Sequence, residues 1–328
     1  MSGRQTAVAP ALAQLLGDMD DYEAPAAIAK RFAAVSHADE LISDLLSQDV
    51  LVEKGSEADL FDAAIDHQWS WSHDARYFHY STRRTVFEAD LEREANDLAL
   101  LAAREPPPPP FRERGGNRVL LPRVLGNRSS EFWDVLLKRR TRRLFSGEPV
   151  SLSELATILY WTWGAAQART DPVLGPYVLK TSPSGGARHP VEVYPVALRV
   201  HSIPAGVYHY SVKDNALEEI GPALTEDAVV SLCAQQPWVA QAAVVFVMTA
   251  FLPRIMWKYR QGHAYRVVHL DAGHLGQTFQ LVCTKLGLAP FTSAAIDSQA
   301  AESVLRLDGV TEVPIYVAAV GRESPMSF

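Results

Sequence analysis

Cysteine, metal-binding patterns and long apolar runs are scarce or missing in this chain of 328 residues. The two cysteines, Cys233 and Cys283, stand in apolar surroundings outside any CxxC spacing, which predicts buried reduced thiols rather than a zinc site or a disulfide framework. The 10 histidines include no HExxH pair, so the sequence gives no support for a metal-dependent mechanism. No run of about 18 apolar residues and no signal-peptide core is present, so we expect a soluble, cytoplasmic protein without a membrane partner.

Basic residues are also scarce, but only in the first third of the chain. Residues 1–110 contain 9 Lys and Arg against 20 Asp and Glu, whereas residues 111–328 contain 22 against 18. Neutralising phosphates needs Lys and Arg, so the acidic first third argues against a nucleic-acid partner. A GxGxxG fingerprint is missing as well, which argues against a Rossmann NAD site.

The acidic first third nevertheless has the pattern of a small folded module. Residues 24–32 and 37–47 are predicted helices, and residues 50–52 are a predicted strand that leads into a turn at Gly55. Two helices followed by a short hairpin resemble a winged-helix module. Because the second helix is acidic, we expect this module to dock a peptide or to be purely structural.

An aromatic-rich segment and a run of prolines separate this module from the rest of the chain. The aromatic side chains predict a hydrophobic joint between the two halves; they are Trp69, Trp71, Tyr77, Phe78, His79 and Tyr80. The prolines at 106–110 favour a semi-rigid polyproline II spacer. We therefore divide the chain into an acidic module at 1–105, a proline-rich linker at 106–128 and a main domain at 129–328.

The main domain mixes helices with strands that fit a mostly antiparallel sheet, an α+β arrangement. The predicted helices begin at Ser129, cover 149–163, begin again near Met256 within 252–288, and cover 298–305. The predicted strands cover 191–200, a hairpin at 206–220, 242–248 and 313–320. Gly273 and Gly276 weaken the long helix, so each is expected to have a close-packed neighbour or a subunit contact.

Two polar stretches of the main domain suggest chemistry beyond folding. Residues 138–145 read KRRTRRLF; guanidinium groups beside a hydroxyl suit a phosphate monoester, although cations also suit a solvated helix C-terminus. Residues 180–190 read KTSPSGGARHP, in which Gly185 and Gly186 can adopt positive φ and let backbone amides approach a flat or anionic ligand. The same residues are also ordinary turn chemistry before a strand, so both interpretations stay open from this pattern alone.

These stretches, followed in order by WKYR at 257–260, DAGHLGQ at 271–277 and LGLAP at 286–290, resemble the nitroreductase superfamily. Within it, the chain looks like the SagB-type azoline dehydrogenases, which oxidise thiazolines and oxazolines to aromatic azoles. The resemblance covers roughly residues 129–322. It implies a nitroreductase-like α+β fold whose central, mostly antiparallel sheet is flanked by helices.

The resemblance also implies an FMN site between two subunits of a homodimer. The implied phosphate contacts are Arg139, Arg140, Thr141 and Arg143, with Arg322 as a last contact near the C-terminus. The implied contacts with the isoalloxazine ring are a loop of Pro183, Ser184, Gly185 and Gly186 on one side, and a loop of Pro290, Phe291 and Thr292 on the other edge.

Lys258 and Tyr259 match the pair that is regarded as catalytic in SagB-type enzymes. Aromatising an azoline transfers a hydride to flavin N5 and needs a base for the proton on the adjacent ring carbon, which is the role the resemblance implies for this pair. The alternative from the residues alone is that both lie at a helix start, where the Lys stem covers apolar surface and the Tyr ring packs.

The implied function is FMN-dependent oxidation of a thiazoline or oxazoline in natural-product biosynthesis, with oxygen as the acceptor. The implied partners are a precursor peptide or carrier protein that bears the azoline, and a cyclodehydratase or synthetase that acts alongside. Two alternatives are an NAD(P)H-dependent nitro- or quinone reductase and a non-catalytic scaffold of a biosynthetic complex. The scaffold alternative predicts a protein without flavin.

Overall fold

The computed structural model describes residues 16–17, 22–31, 38–48, 50–82, 92–93, 96, 99–100, 103, 131–171, 175–259 and 262–325. The predicted linker at 106–128 and the predicted helix start at Ser129 lie outside the described residues. The helices are α1 (Pro25–Arg31), α2 (Ala38–Ser47), α3 (Glu57–Gln68), α4 (His73–Thr82), α5 (Glu131–Lys138), α6 (Leu152–Trp163), α7 (Glu226–Leu232), α8 (Pro253–Lys258), α9 (Ala264–Lys285) and α10 (Ser298–Leu305). The strands are β1 (Gln167–Asp171), β2 (Gly175–Leu179), β3 (Val191–Ala197), β4 (Gly206–Ser211), β5 (Ala216–Pro222), β6 (Val244–Phe251), β7 (Ala289–Ser293) and β8 (Glu312–Gly321).

The main domain is built on one antiparallel sheet. Strands β3 to β8 form it in the order β5-β4-β3-β6-β8-β7, and each neighbouring pair is antiparallel. Strands β1 and β2 form a separate antiparallel hairpin. The predicted mostly antiparallel sheet is therefore confirmed, and the β1–β2 hairpin was not predicted.

Helices cover both faces of the sheet, which explains why β6 is apolar at nearly every position. Phe246 and Met248 face α6 and α9, where the Phe246 ring stacks on Trp163 at 5.4 Å between centroids. Val245 and Val247 face the opposite side, with α7 and α10. A strand buried on both faces needs apolar side chains at alternate and intervening positions alike.

Helix α6 follows its local sequence signals closely. Ser151 Oγ accepts the Glu154 N–H at 3.1 Å, and Glu154 Oε2 accepts the Ser151 N–H at 2.7 Å, which completes a capping box. Gly164 ends the helix, as predicted. Its apolar face, led by Leu155 and Ile158, is fully buried against the sheet.

The predicted start of the long helix near Met256 is wrong, because two helices occupy this part of the chain. Helix α8 begins with Pro253 at its first turn and ends at Lys258, where Tyr259 turns extended with φ −116° and ψ 100°. Helix α9 then begins at Ala264. Lys258 and Tyr259 therefore stand at a helix end and not at a helix start.

The two glycines of α9 have different surroundings. A Cβ at Gly276 would lie 2.7 Å from Cε1 of Tyr316 on β8, so the predicted close packing is confirmed there. A Cβ at Gly273 would meet no described atom within 4 Å. The predicted close neighbour of Gly273 is therefore absent from the described part of this chain, and a subunit contact stays a prediction.

Two short segments differ from their predicted conformations. Residues 290–293 belong to the edge strand β7 and not to a loop, because β7 pairs with β8 from Ala289 to Ser293. Residues 50–55 form bends and a turn at Gly55 instead of the predicted strand, and they lead into α3, which is capped by Ser56. The described N-terminal residues are thus helical, without the hairpin of a winged helix.

The aromatic segment joins this N-terminal helical region to the main domain, as predicted. Trp69 Nε1–H donates to the Val310 carbonyl at 2.7 Å, and Tyr80 Oη–H donates to the Gly309 carbonyl at 3.1 Å. Trp69, Trp71 and Tyr80 are each at most 2% exposed, although Tyr77 and Phe78 remain largely exposed. Of the described helices, α9 is the longest, and neither it nor any other has the apolar length that spanning a bilayer requires.

Candidate functional site

The loop between β2 and β3 is anchored to helix α9 by one buried carboxylate. Asp271 is 3% exposed, and its oxygens accept hydrogen bonds from Ser184 Oγ at 2.6 Å and from the Gly185 N–H at 3.2 Å. Ser184 Oγ in turn accepts the His189 N–H at 2.8 Å. Burial raises the pKa of Asp271, while the hydrogen bonds from Ser184 and Gly185 oppose that rise. Two donors on one buried carboxylate therefore hold the loop in place.

Gly186 brings this loop against Lys258 and Tyr259. Its φ is +60°, a conformation that favours glycine. A Cβ at this position would overlap Tyr259 Oη and lie 2.7 Å from Lys258 Nζ. The structure thus brings together the predicted flavin loop and the predicted catalytic pair, which are far apart in the sequence.

The catalytic pair leaves α8 at the point where the helix ends. Lys258 is exposed and Tyr259 is partly buried, and Lys258 Nζ lies 5.4 Å from the centroid of the Tyr259 ring. The backbone turns extended at Tyr259, and both side-chain ends lie where a Cβ of Gly186 would be. The Lys258 amino group and the Tyr259 hydroxyl therefore lie side by side where Gly186 has no side chain.

The N-terminal helical region holds the backbone behind this pair. Trp71, in the turn before α4, donates its Nε1–H to the Tyr259 carbonyl at 3.2 Å. Gly262 lies against the same region, because an added Cβ would be 3.0 Å from Ser72 Oγ and 3.5 Å from Ala75 Cβ. The chain on both sides of the site is thus packed on residues that precede the main domain.

The arginine segment begins directly after α5 and is tied to α9 and β7. Arg139 Nη1–H donates to Gln280 Oε1 at 2.7 Å, and Gln280 Nε2–H donates to Thr292 Oγ1 at 2.7 Å. Gln280 therefore links two residues that were predicted to contact the cofactor. The alternative of a solvated helix end does not describe Arg139, whose guanidinium is engaged inside the fold.

Arg143 and Arg140 differ in their surroundings. The Arg143 guanidinium lies over the rings of Phe291 and Trp238, 5.4 Å and 5.8 Å from their centroids. Phe291 is 1% exposed, so its ring belongs to the core, and the contact of residues 290–292 with a flavin edge stays a prediction. Arg140 is exposed and donates to the carbonyls of Leu137 and Arg139 at 3.0 Å and 2.7 Å. Thr141, which follows Arg140 in the sequence, is partly buried.

A cavity of about 390 Å³ opens beside the arginine segment. Its lining includes Lys138, Arg140, Arg142, Pro290 and Glu323. Arg142 Nη1 lies 2.8 Å from Glu323 Oε1, and the Arg142 N–H donates to the Pro290 carbonyl at 2.8 Å. Three cations against one carboxylate give the cavity an excess of positive charge, which suits an anionic group.

Arg322 is engaged away from the arginine segment. Its Nη2–H donates to both carboxylate oxygens of Glu154, at 3.1 Å and 3.0 Å, and its Nε–H donates to the Pro149 carbonyl at 3.2 Å. Residues 322–324 run antiparallel to residues 144–146, so neighbouring side chains point to opposite sides. The neighbour that faces Arg142 is Glu323, while Arg322 is held by Glu154; its predicted phosphate contact stays a prediction.

A group of half-buried polar residues lies beneath the loop. Burial lowers the pKa of Lys180 to about 8, although Glu192 favours its charged form. Burial likewise lowers the pKa of His189 to about 4. Burial would raise the pKa of Glu192, but hydrogen bonds from His209 and Arg254 hold it below its usual range. The region behind the loop therefore favours one carboxylate surrounded by cations and a neutral His189.

The residues that organise the site were not found from the sequence. Asp271 and Gln280 anchor the loop and the arginine segment, Trp71 holds Tyr259, and Arg142 lines the cavity. Asp271 and Gln280 did leave a signal, since each is a polar residue at an edge of the buried, mostly apolar stripe of α9. Trp71 belongs to the predicted aromatic joint, but its hydrogen bond to Tyr259 left no signal, because the two residues are nearly 200 positions apart.

Comparison with known proteins gives one family match. The model described as the Nitroreductase family matches residues 136–322, which is more than half of the chain. A nitroreductase-like protein of Methanocaldococcus jannaschii is 30% identical over 195 residues, which is 58% of this chain and 90% of that protein. The family match covers the arginine segment, the loop, the Lys258–Tyr259 pair and helix α9.

Two relatives have names that refer to peptide processing. The trifolitoxin-processing protein TfxB of Rhizobium leguminosarum bv. trifolii is 34% identical over 169 residues, 48% of this chain and 44% of that protein. The microcin B17-processing protein McbC of Escherichia coli is 28% identical over 149 residues, 44% of this chain and 54% of that protein. This chain therefore spans only about half the length of these two relatives.

A solved structure extends the similarity of fold beyond the family match. A chain in the E. coli microcin synthetase McbBCD complex with truncated pro-MccB17 has a TM-score of 0.55 and 22% identity. The alignment covers 85% of this chain and 97% of that one, so it includes part of the N-terminal region as well as the main domain.

Proposed function

This chain belongs to the nitroreductase family, and from that premise we propose that it is an FMN-dependent azoline dehydrogenase. Its substrate is a thiazoline or oxazoline within a peptide- or carrier-bound intermediate, which it oxidises to the aromatic azole in the cytoplasm. The proposal depends on the position of Lys258 Nζ and Tyr259 Oη, which occupy the space where Gly186 lacks a side chain. Oxidising an azoline removes a hydride and a proton from adjacent ring atoms, which needs a general base next to the flavin; Lys258 and Tyr259 lie in that position beside the loop.

The residues of the chain fit FMN at both ends of the cofactor. The side chain that Gly186 lacks leaves room for the ends of Lys258 and Tyr259 against the loop, which Pro183, Ser184 and Gly185 complete, so a flavin ring beside this loop would also lie near the pair. The cationic cavity beside Arg140 and the neighbouring Arg139, Thr141 and Arg143 suit a phosphate. FMN supplies the hydride-accepting centre when it is bound.

The chemistry assigned to the chain itself is proton transfer. One member of the Lys258–Tyr259 pair, as the neutral amine or the phenolate, takes the proton from the azoline carbon next to the one that loses the hydride, and Asp271 keeps the loop fixed. The exposed Lys258 ammonium is open to solvent exchange, so the proton can leave the site between turnovers. Positioning of this pair matters because small displacements of a base are costly to rate.

Geometry within the chain supports the proposed homodimer. Asp271, which anchors the loop, and Gln280, which anchors Arg139, are nine positions apart on α9, or about 13 Å along the helix and on opposite flanks. This separation favours a cofactor that contacts the arginines of one copy and the loop of a second copy. The face of α9 between these flanks carries Leu270, which is 62% exposed, and the open Gly273.

The substrate and partners are proposed from the relatives. TfxB and McbC are named for processing trifolitoxin and microcin B17, so we assign this chain a precursor peptide as substrate ahead of a carrier protein. A cyclodehydratase that forms the azoline must act before it. Oxygen is the proposed acceptor that restores the oxidised cofactor.

The product of the reaction tests this proposal. A synthetic peptide with one thiazoline, incubated with the purified protein in air, is expected to lose two hydrogens by mass spectrometry and to gain the absorbance of a thiazole. Omitting oxygen should limit conversion to the amount of enzyme. Rapid oxidation of NAD(P)H with a quinone, without any azoline conversion, would instead establish a reductase, and a colourless inactive protein would establish a scaffold.

A further inference from the structure

An open groove of about 500 Å³ lies beside the catalytic pair. One wall is Tyr177 and Val178 of strand β2 together with Arg188, which follows the glycine loop. The other wall is the end of β6 and the start of α8, with Arg254 and Trp257. The groove therefore separates the β1–β2 hairpin from the helix that ends in Lys258.

The groove is close to Lys258 on the surface of α8. Arg254 is three residues before Trp257 and four before Lys258, so its side chain neighbours both on the surface of this short helix. On the other wall, Arg188 is two residues beyond Gly186, the residue that contacts Lys258. Both walls thus run directly from the groove to the proposed reaction site.

The two arginines of the groove are supported by aromatic rings. The Arg188 guanidinium lies 5.7 Å from the Trp257 ring centroid, and the Arg254 guanidinium lies 5.3 Å from that of Phe251. Stacking on rings holds a guanidinium in one orientation while its N–H groups stay free to bind.

The arginines differ in their acidic partners. Arg254 forms an ion pair with Glu192 and also donates to the His189 carbonyl at 2.9 Å. Among the described residues, Arg188 has no carboxylate at ion-pair distance, and its Nε–H donates only to the Gly186 carbonyl, at 3.1 Å. With Lys258 nearby and one acid, Glu192, behind Arg254, the groove has an excess of positive charge.

We infer that this groove binds the peptide segment next to the azoline and selects an acidic side chain, whose carboxylate pairs with Arg188. The inference rests on the proposed function, because that function places an azoline ring beside Lys258. What it adds concerns the binding of the peptide and not the oxidation of the ring. An extended peptide advances about 3.3 Å per residue. A carboxylate one or two positions from the ring can therefore reach Arg188 while the ring lies beside Lys258.

Binding of two matched product peptides to the full-length protein tests this inference. Both carry a fluorescent label and one thiazole, a ring that has no further hydride to lose, and they differ only in Asp or Asn two positions from the ring. Fluorescence anisotropy should show roughly fivefold tighter binding of the Asp peptide, with the difference shrinking at high salt. Arg188→Gln should remove the difference and leave binding of the Asn peptide unchanged.

The control variant is Arg306→Gln, because Arg306 is an exposed arginine that follows α10 and is not part of the groove. It should keep the preference for Asp. Equal binding of the two peptides by the unaltered protein, or a preference that survives Arg188→Gln, would overturn the inference. A preserved preference in a protein that fails to oxidise thiazoline would overturn the proposed function and support the groove.

Discussion

Single residues decide whether the loop and the catalytic pair can meet. Gly186 combines a positive φ with contact to two reactive side chains, so both its backbone freedom and its missing side chain are used. The sequence predicted the glycine loop and the Lys258–Tyr259 pair separately. Their contact could not be predicted, because it depends on where Asp271 holds the loop and where α8 ends.

Replacing Gly186 by Ala should reduce azoline oxidation about tenfold to a hundredfold, since the new Cβ displaces Lys258 Nζ and Tyr259 Oη. Steady-state rates with a thiazoline peptide measure the effect. Gly55→Ala is the matched control, because Gly55 also has positive φ, at +81°, but an added Cβ meets no described atom. Both variants should lose similar stability, about 1–2 kcal/mol, from backbone strain. Unchanged turnover in Gly186→Ala would show that azoline oxidation does not depend on the fit of Lys258 and Tyr259 against Gly186.

Lys180 should lower stability near neutral pH, because its pKa falls to about 8 in the folded protein from an ordinary value near 10.5. The unfolded chain then binds more protons between these two values, so stability rises with pH across that window and the cost persists below it. Lys180→Met should therefore raise the free energy of unfolding at pH 7 by about 1–3 kcal/mol. The gain should vanish near pH 10.5. Urea unfolding of both proteins at pH 7, 9 and 10.5 measures this, and a gain independent of pH would contradict the assignment.

Among helices and strands, the sequence predicted best those whose ends are fixed by hydrogen bonds between nearby residues. Helix α6 has a complete capping box and a terminal glycine, and α10 was predicted with its observed bounds. Strand β7 was mistaken for a loop because Pro290 discourages a strand and an edge strand needs few apolar residues. The joint between α8 and α9 was missed because packing on the N-terminal helical region, and not local sequence, holds it.

That packing makes Trp71 a positioning residue for the catalytic turn. Trp71→Phe keeps an aromatic ring against Tyr265 but removes the N–H that binds the Tyr259 carbonyl, which should cost about 1 kcal/mol of stability. Hydrogen–deuterium exchange should become faster at residues 256–259, and the rate of azoline oxidation should fall more than substrate binding weakens.

Trp161→Phe provides the comparison, because Trp161 is 51% exposed on α6. Exchange in residues 256–259 should not change in this variant. Equal exchange rates in Trp71→Phe and the unaltered protein would show that the N-terminal helical region does not hold the turn.

For the whole molecule, the fold that the family resemblance predicted is confirmed, while the roles of the site residues and the subunit arrangement remain predictions. The two anchors of the site lie on opposite flanks of α9, and the exposed face between them carries Leu270. Exposed apolar residues also lie on α5, where Phe132, Trp133 and Leu137 are each at least 48% exposed. A protein that buries these faces against a second copy would complete its cofactor site in the same step.

Leu270→Glu should therefore yield a monomer that loses its flavin, because a buried unpaired charge at an interface is strongly unfavourable. Light scattering after size exclusion gives the mass, and the ratio of visible to ultraviolet absorbance gives the flavin content. Leu60→Glu is the control, since Leu60 is 63% exposed on α3, compared with 62% for Leu270. A Leu270→Glu monomer that keeps its flavin would contradict a site shared between copies.

The anaerobic visible spectrum tests whether an azoline itself reduces the bound flavin and whether Lys258 takes part. The purified protein is mixed with a thiazoline peptide in the absence of oxygen, and the experiment is repeated with Lys258→Ala. We predict that the flavin absorbance bleaches within the unaltered protein, returns on admission of air, and bleaches far more slowly in Lys258→Ala despite equal flavin content. A flavin that stays oxidised with the azoline but bleaches with NAD(P)H would contradict the account.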